Sequence, residues 1–438
     1  MLFRSYNQEL TPEEVGILAV SKPVNEIAAL APAQRSKGEA GKLRSAFLES
    51  AAVPVEVRTA LRELIQAREE RARYDENLPT VMVMEEMPVP RETHVLLRGS
   101  YDQPGDVVTP DTPAILPRMP SDYPKNRLGL ARWIVDPANP LLARVTVNRF
   151  WQMYFGTGIV KTVDDFGSQG EAPSHPELLD WLATEFVRTG WDVKAFQKLV
   201  VMSATYRQTS KTTPELVQKD PENRWLARGA RYRLPGEMIR DKTLAMAGLL
   251  TEKIGGPSVK GYQPEGLWTE LAQITGDYIQ DHGESLYRRG LYAFWRRTIP
   301  PPSMSNFDAP SREACIMQRG FTNSPLQALD LMNDVTYLEA ARMLGERMMK
   351  EGGSTAKDRI EFAFRLATAR RPNATENQIL ADSFRYSLDR FQSQEDAAAQ
   401  YLNIGEHPRD PKLDVKQLAA YTTVASLIIN LDEAVTMQ

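Results

Sequence analysis

The chain has 438 residues, of which 42% are hydrophobic and 25% are charged, and this length predicts two or three domains or one large helical body with an appendage. The net charge of −4 gives no electrostatic indication of nucleic acid or of an anionic membrane as a partner. The single cysteine, Cys315, excludes an intramolecular disulfide and a metal site built from several thiolates. We predict that Cys315 is a small buried side chain.

Motifs for common cofactors are missing from the sequence. The four histidines are far apart, and none forms the HExxH spacing of a zinc site. There is no GxxxxGK[ST] phosphate loop, no GxGxxG, no GxSxG and no CxxCH haem attachment. No apolar run approaches the ~18–20 residues of a membrane span. We therefore expect no metal, no cofactor and no membrane span in this chain.

The first 75 residues are predicted to be helical. Thr11 is a favourable N-cap, Pro12 fits the first helical position, and two carboxylates follow in the first turn. Residues 55–74 are rich in charge and place Leu64 and Ile65 on one face, as an amphipathic surface helix does. The opening stretch MLFRSYNQEL lacks the pattern of a signal peptide, so we expect the chain to be one part of a longer protein.

The character of the chain changes after residue 75. Residues 80–86 and 94–98 are predicted to form short strands because of their apolar, partly alternating pattern. Six prolines from Pro104 to Pro124 exclude a helix and a central strand, so this stretch is predicted to be an extended connection. We assign residues 1–90 to a helical connecting region with a short strand, and residues 91–438 to a mostly helical domain.

Helix signals dominate from residue 126 to 250 and again from residue 322 onward. Residues 174–177 combine a capping box with a proline at the first helical position, and Asp192 caps the next helix. Residues 323–350 are predicted to form one helix. Residues 291–295 alternate and are rich in aromatics, which predicts a strand. The predicted fold is mainly α: a multi-helical body with a small β element, whose strands lie near 80–99 and 266–297.

Several long motifs occur in a fixed order along the chain. They include YDQPG at 101–105, NRLGLARW at 126–133, VNRFW at 147–151, SATYRQ at 203–208, FDAP at 307–310 and TNSPLQAL at 322–329. Together they resemble a planctomycete-specific C-terminal domain of unknown function. In that family the domain is found in large secreted proteins, downstream of a planctomycete cytochrome c domain.

The resemblance covers about residue 94 to the end of the chain, and it brings no known activity. It implies an extracytoplasmic location, periplasmic or secreted. It also implies that upstream domains of a longer protein are partners of this chain. Any haem would be carried by that upstream region and not by this chain.

Candidate ligand-binding residues lie between residues 288 and 323. Arginines flank an aromatic stretch at 291–295, as in a guanidinium cluster that grips an anionic ligand; the alternative is a buried strand whose arginines pair with carboxylates. In the polar loop that follows, Asp308 and Glu313 could act as paired acid and base, or Asp308 could form a cap or turn. The candidates are Arg289, Arg297, Asp308, Arg312, Glu313, Arg319 and Asn323.

Two further polar groups have a structural interpretation that we prefer. A carboxylate group with one histidine precedes the helix at residue 176, and helix capping explains it better than hydrolysis does. A second group shares one face of a helix, which predicts a buried salt-bridge network. The members of the two groups are Asp164, Asp165, Glu171 and His175, and Glu237, Arg240 and Asp241.

Three functions remain open from the sequence, which does not establish whether the protein is an enzyme. The first is an extracytoplasmic module of unknown biochemical activity that binds an anionic polysaccharide or a partner domain through the Arg/aromatic segment. The second is a polysaccharide hydrolase or lyase that uses the paired carboxylates. The third is an accessory domain that docks a cytochrome c domain, and it predicts a bare apolar face on residues 1–75.

Overall fold

A computed structural model of the protein describes residues 10–50, 52–268, 278–296 and 298–437. The chain divides into two compact units, Met1–Thr109 and Pro110–Gln438, which we call the N-terminal unit and the C-terminal unit. Within the described ranges there are eighteen α-helices and two sheets of two strands each. This confirms the prediction of a mainly α fold with a small β element. The division of the chain after residue 90 stays a prediction.

The described part of the N-terminal unit contains four α-helices and one β-hairpin. The helices are α1 (Pro12–Leu18), α2 (Val24–Ala29), α3 (Lys37–Glu49) and α4 (Val55–Glu76). Thr11 caps α1 as predicted, because its hydroxyl accepts the N–H of Glu14 at 3.3 Å and the Glu14 carboxylate accepts the N–H of Thr11 at 2.8 Å. The strands β1 (Thr93–Leu96) and β2 (Pro104–Val108) pair in antiparallel fashion.

One of the two strands predicted near residues 80–99 is present. It is β1, whereas residues 80–86 form no strand, and that part of the prediction is wrong. Val81, Met82, Val83 and Met84 are each at least 81% exposed. An alternating pattern gives a stable strand only when neighbouring strands supply hydrogen bonds and packing. Among the described residues, no strand pairs with this stretch.

The first half of the C-terminal unit is a group of helices, three of which contribute to an aromatic core. They are α5 (Arg127–Ile134), α6 (Leu142–Phe155), α7 (Pro176–Arg188), α8 (Val193–Met202) and α9 (Pro214–Lys219). Helices α6 and α7 pack together and bury Val147, Trp151 and Phe186. Asp192 caps α8 as predicted, since its carboxylate accepts the N–H of Ala195 at 3.0 Å.

Helix α7 starts where it was predicted to start, but its cap differs from the prediction. His175 is the N-cap residue, and its side chain makes no capping hydrogen bond. The Ser174 hydroxyl donates instead to the carbonyl of Ile159 at 3.3 Å and lies 3.0 Å from His175 Nδ1. A tertiary contact therefore takes the hydroxyl that the capping box would have used.

The second half of the C-terminal unit is a helical bundle. It contains α10 (Gly236–Ala247), α11 (Pro302–Asn306), α12 (Pro325–Asn333), α13 (Val335–Glu351), α14 (Ala356–Thr368), α15 (Ala374–Ser393), α16 (Glu395–Leu402), α17 (Val415–Ile429) and α18 (Asp432–Val435). Helices α13 and α17 form its centre, and Gly345 lets them approach, because a Cβ at Gly345 would lie 3.1 Å from the backbone nitrogen of Thr422. Strand β3 (Tyr232–Arg233) pairs with β4 (Thr436–Met437).

The single helix predicted over residues 323–350 is in fact two helices, α12 and α13. Asp334 lies between them in an extended backbone conformation. Its carboxylate accepts the N–H of Thr336 at 2.8 Å and so caps α13. Aspartate is a preferred N-cap residue. Helix α12 therefore ends before Asp334, and Asp334 caps a new helix, α13. Across the described ranges, no helix has both the length and the apolar character needed to cross a membrane.

The strand predicted within residues 266–297 is wrong for the residues that the structure describes. The 3-10 turns Gly283–Tyr287 and Gly290–Tyr292 occupy this stretch, with isolated bridges to earlier residues. The cause is the neighbouring helix α10. Its Arg240 and Asp241 side chains bond to backbone groups of residues 286–290, and those groups are then not available to a partner strand. Residues 269–277 and Arg297 lie outside the described residues.

Candidate ligand-binding site

A pocket forms where helices α10 and α11 meet the turns of residues 283–292. Its empty volume is about 500 Å³, including its mouth, which is open to solvent. Its lining includes Arg240, Tyr262, Tyr278, Arg288, Phe294 and Ser303. We call this site the arginine pocket.

Backbone carbonyl groups hold both arginines of the pocket. Arg240 Nη1 donates to the carbonyl of Arg288 at 2.6 Å, and Arg240 Nη2 donates to the carbonyl of Leu286 at 2.7 Å. Arg288 donates to three carbonyl groups of the loop 253–257, and its guanidinium lies 3.7 Å from the centre of the Tyr292 ring. These contacts fix the two cations in place because the guanidinium is a planar, rigid group of donors.

Two carboxylates on α10 bond to groups next to the pocket. Asp241 Oδ1 accepts the N–H of Gly290 at 2.7 Å and lies 3.6 Å from Arg240 Nη1. Glu237 forms an ion pair of 2.8 Å with Arg319. Burial lowers the pKa of Arg240 and raises the pKa of Asp241, so both groups lose hydration in the folded protein. The Arg240–Asp241 pair agrees with the predicted salt-bridge network, whereas Glu237 pairs outside the predicted group, with Arg319.

An aromatic cluster with two cations adjoins the pocket. The ring centres of Trp268 and Tyr278 are 5.3 Å apart, and those of Trp268 and Phe294 are 5.9 Å apart. The Arg296 guanidinium lies 4.7 Å from the Trp268 ring centre, and Lys260 Nζ lies 5.4 Å from that of Phe294. All five side chains are partly exposed. We call them the aromatic–cation cluster; such an arrangement can present positive charge beside apolar ring surface.

A buried ionic network lies behind the pocket on α13. Glu339, Arg342 and Glu346 are only 1%, 2% and 3% exposed, respectively. Arg342 lies 3.7 Å from the Glu339 carboxylate and 3.3 Å from the Glu346 carboxylate. The hydroxyls of Tyr262 and Tyr287 each donate to Glu339 at 3.1 Å. Tyr262 therefore connects the wall of the arginine pocket to the buried network.

Stability at high pH should depend on Tyr262. Burial, assisted by the Glu339 charge, raises the pKa of Tyr262 to about 12. The unfolded pKa is about 10, so the folded state holds the proton more tightly, and the stability that this provides is complete below pH ~10 and is lost as the pH rises towards ~12. We expect the urea midpoint of the parent to fall more steeply over this window than that of Tyr262→Phe.

The matched control for this measurement is Tyr386→Phe, since the Tyr386 side chain is 72% exposed. It should follow the parent over the whole pH window. If Tyr262→Phe and the parent lost stability with the same slope, the link between Tyr262 and Glu339 would be wrong.

The predicted site residue Asp308 holds a loop together. Its carboxylate accepts the N–H of Thr322 at 2.7 Å and the Thr322 hydroxyl at 2.8 Å. Gln327 Nε2 lies 3.5 Å from the same carboxylate. The Asp308 backbone has φ of 59°, in the left-handed region that aspartate tolerates in turns. The environment of Asp308 favours its structural interpretation over a catalytic one.

Three other predicted residues contact separate elements. Arg289 forms an exposed ion pair of 3.3 Å with Glu252. Arg319 is paired with Glu237 of α10. Asn323 Oδ1 accepts a hydrogen bond from Arg233 Nη1 at 3.1 Å. An exposed ion pair such as Arg289–Glu252 contributes little to stability.

The remaining predicted residues lie on the loop between α11 and α12 or next to it. The Arg312 guanidinium lies 4.3 Å from the ring centre of Trp295, and Arg312 is exposed. Glu313 is also exposed. Arg297 lies outside the described residues. Cys315 is exposed, so the prediction of a buried cysteine is wrong. The loop around Cys315 has no regular secondary structure, and its apolar residues do not form a core.

A second pocket lies beside α6 and α7, with an empty volume of about 970 Å³ including open solvent. Arg144 and Asp180 line it and form an ion pair of 2.6 Å with each other. Of the carboxylates predicted near His175, Glu171 lines this pocket. Within the described ranges, no three His, Cys, Asp or Glu side chains come together as metal ligands do.

The sequence resemblance is tested by comparison with protein families. A family model described as PSD1, protein of unknown function (DUF1553), matches residues 126–384, which is more than half of the chain. The chain belongs to the PSD1 family. PSD1 is known as a planctomycete cytochrome c associated domain. No curated protein and no solved structure matches the chain significantly.

The region matched by PSD1 contains the arginine pocket and the buried network, but sequence reasoning did not find the network. Its signal was present: Glu339, Arg342 and Glu346 lie on one face of α13, at spacings of three and four residues. The same spacing is typical of exposed ion pairs on a helix surface, so it does not distinguish a buried network from a solvated one. Their contacts with Tyr262, Tyr287 and residues 407–410, which are far away in the sequence, are what bury these three side chains.

Proposed function

We propose that this PSD1 protein is a non-catalytic module that binds an anionic polymer outside the cytoplasm through the aromatic–cation cluster. One observation carries the proposal: Arg296 and Lys260 lie over aromatic rings, and neither has a carboxylate within ion-pair distance among the described residues. A cation held over a ring keeps N–H donors for a sulfate or carboxylate group. The location outside the cytoplasm rests on the resemblance to domains of secreted proteins.

Arg312 and Trp295 support the same function from the neighbouring loop. They form a further exposed cation–ring pair, with 4.3 Å between the guanidinium and the ring centre. A polymer offers repeated anionic groups, so several separate cations can contact one ligand. The geometry does not favour the hydrolase or lyase alternative, because Asp308, its predicted acid or base, accepts hydrogen bonds from the backbone N–H and the hydroxyl of Thr322.

The proposed function predicts binding of sulfated but not neutral polymers. Dextran sulfate and chondroitin sulfate should bind the purified chain in calorimetric titration, while unmodified dextran should not, and added salt should weaken binding by screening. The double variant Lys260→Gln, Arg296→Gln should bind roughly tenfold more weakly, because two charge-assisted contacts are lost. Arg312→Ala tests the neighbouring pair in the same titration.

The matched control is the double variant Arg371→Gln, Arg385→Gln. It makes the same change in net charge at two arginines that are exposed and paired with carboxylates of α14 and α15. It should bind like the parent. Equal loss in both double variants would mean that net charge alone drives binding, and no binding of either sulfated polymer would contradict the proposal.

A second candidate function, docking of a cytochrome c domain, is supported by the N-terminal unit. Helix α4 has no buried residue, and Val57, Leu64 and Ile65 are 42%, 47% and 48% exposed. An apolar face of this kind is typical of an interaction surface. We expect a separately purified family cytochrome c domain to co-sediment with the chain. The double variant Leu64→Glu, Ile65→Glu should no longer co-sediment with that domain. Unchanged co-sedimentation of the variant would contradict docking through α4.

A further inference from the structure

Three methionine side chains extend into solvent at neighbouring positions of the sequence. Met82, Met84 and Met87 are 103%, 81% and 62% exposed, and every other methionine in the described ranges is less exposed. Methionine is one of the residue types most often buried, so three exposed methionines within six residues need an explanation. Packing within the chain does not explain them, because residues 77–93 are all exposed.

The thioether of methionine is a soft metal ligand. It suits Cu(I), whereas Mg²⁺ and Ca²⁺ take oxygen ligands. A thioether site also differs from the thiolate and imidazole sites that the cysteine and histidine positions exclude. In an extended chain, residues two positions apart lie on the same side, so Met82 and Met84 can face one ion. Each methionine side chain has three rotatable bonds, which let Met87 reach the same ion.

The surroundings of these methionines suit a bound cation. Residues 74–90 contain four carboxylates and no lysine, arginine or histidine. Glu85 and Glu86 lie between two of the methionines, and their negative charge lowers the energy of a nearby cation. Residues 80–87 belong to no helix or strand. Drawing the three side chains around one ion therefore breaks no helix or strand hydrogen bond.

We propose that Met82, Met84 and Met87 form a binding site for one Cu(I) ion, with their three sulfur atoms as ligands. Three neutral sulfur atoms leave the charge of the ion in place, and the carboxylates of Glu85 and Glu86 offset it. The site belongs to the N-terminal unit. It does not depend on polymer binding, which the proposed function assigns to side chains of the C-terminal unit.

Nuclear magnetic resonance of methionine methyl groups tests the site directly. The exposed thiol of Cys315 would also bind Cu(I), so the full chain carrying Cys315→Ser is the reference chain and the background of every variant. Cu(I) is added without oxygen as its acetonitrile complex. Three methyl resonances should shift together and stop shifting at one equivalent. The triple variant Met82→Leu, Met84→Leu, Met87→Leu should lack those three resonances, which assigns them.

Calorimetric titration with the same complex gives the change in affinity. The triple variant should bind Cu(I) about tenfold or more weakly than the reference chain, because leucine has a similar volume but no sulfur. The matched control is Met202→Leu, Met238→Leu, Met332→Leu, which removes three exposed methionines of separate helices. It should bind as the reference chain does.

Three results would overturn the inference. The first is the absence of a saturable shift of the three methyl resonances. The second is an equal loss of affinity in the two triple variants, which would mean that scattered methionines bind the ion. The third is displacement of Cu(I) by an excess of Ca²⁺, which would identify carboxylate oxygens and not thioethers as the ligands.

Discussion

Replacing Arg342 with leucine is expected to lower the free energy of unfolding by about 3–5 kcal/mol, because it leaves the Glu339 carboxylate buried without a cation and Glu346 paired only with the partly exposed Lys350. Glu339 and Glu346 both face Arg342, at 3.7 Å and 3.3 Å. Arg342 Nη2 also donates to the carbonyl of His407 at 2.6 Å, and that contact is lost as well. Urea denaturation followed by far-ultraviolet circular dichroism gives the change directly.

A triple variant serves as the control for the Arg342 result. Glu339→Met, Arg342→Leu and Glu346→Met together replace the three buried ionic side chains by apolar side chains of similar size. Such replacements are often neutral or stabilising, so the triple variant should be more stable than Arg342→Leu alone. If Arg342→Leu lay within about 1 kcal/mol of the parent, which is the range of ordinary substitutions, the three side chains would not act as one buried ionic unit.

Leu344→Ala should be the second strongly destabilising substitution, at about 2–5 kcal/mol, because it opens a cavity in a packed core. Leu344 is 0% exposed and lies in the core that α13 shares with α14, α15 and α17. The same urea titration measures the effect, and the slope with denaturant should stay unchanged if folding remains cooperative.

Leu427→Ala is the matched control, since it deletes the same atoms from a side chain that is 41% exposed on α17. It should cost much less than Leu344→Ala. Equal losses at Leu344 and Leu427 would mean that cavity formation does not set the cost, and would contradict the assignment of α13 to the centre of the bundle.

Elements that depend on local chemistry could be predicted from the sequence. The start of α1 at Pro12 and the cap of α8 at Asp192 follow from side chains that bond to the nearest backbone groups. The break at Asp334 could not be predicted with equal ease, because a capping aspartate and an exposed helical aspartate look alike along the chain. The stretch 291–295 has strand-like composition. Side chains of α10, however, form hydrogen bonds with the backbone of Leu286 and Gly290 in the turns that precede it.

The candidate site was predicted in part. The sequence directed attention to the arginines and aromatics of residues 288–319, and Arg312 does lie over Trp295. It did not indicate that Arg240, almost 50 residues before Arg288, donates to the carbonyl of Arg288. Long-range pairing of this kind leaves no periodic signal, so the pocket is evident only in three dimensions.

The pairing of β3 with β4 has a consequence for how the protein folds. Next to this pairing, Arg231 bonds to Asp432, which is 201 residues further along the chain. Closing so long a loop is entropically costly, and contacts with large sequence separation slow folding. The local helix pairs should therefore form early, and the two strands should join last. In hydrogen exchange during refolding, we expect the amides of Leu234 and Met437 to become protected after those of α6 and α7.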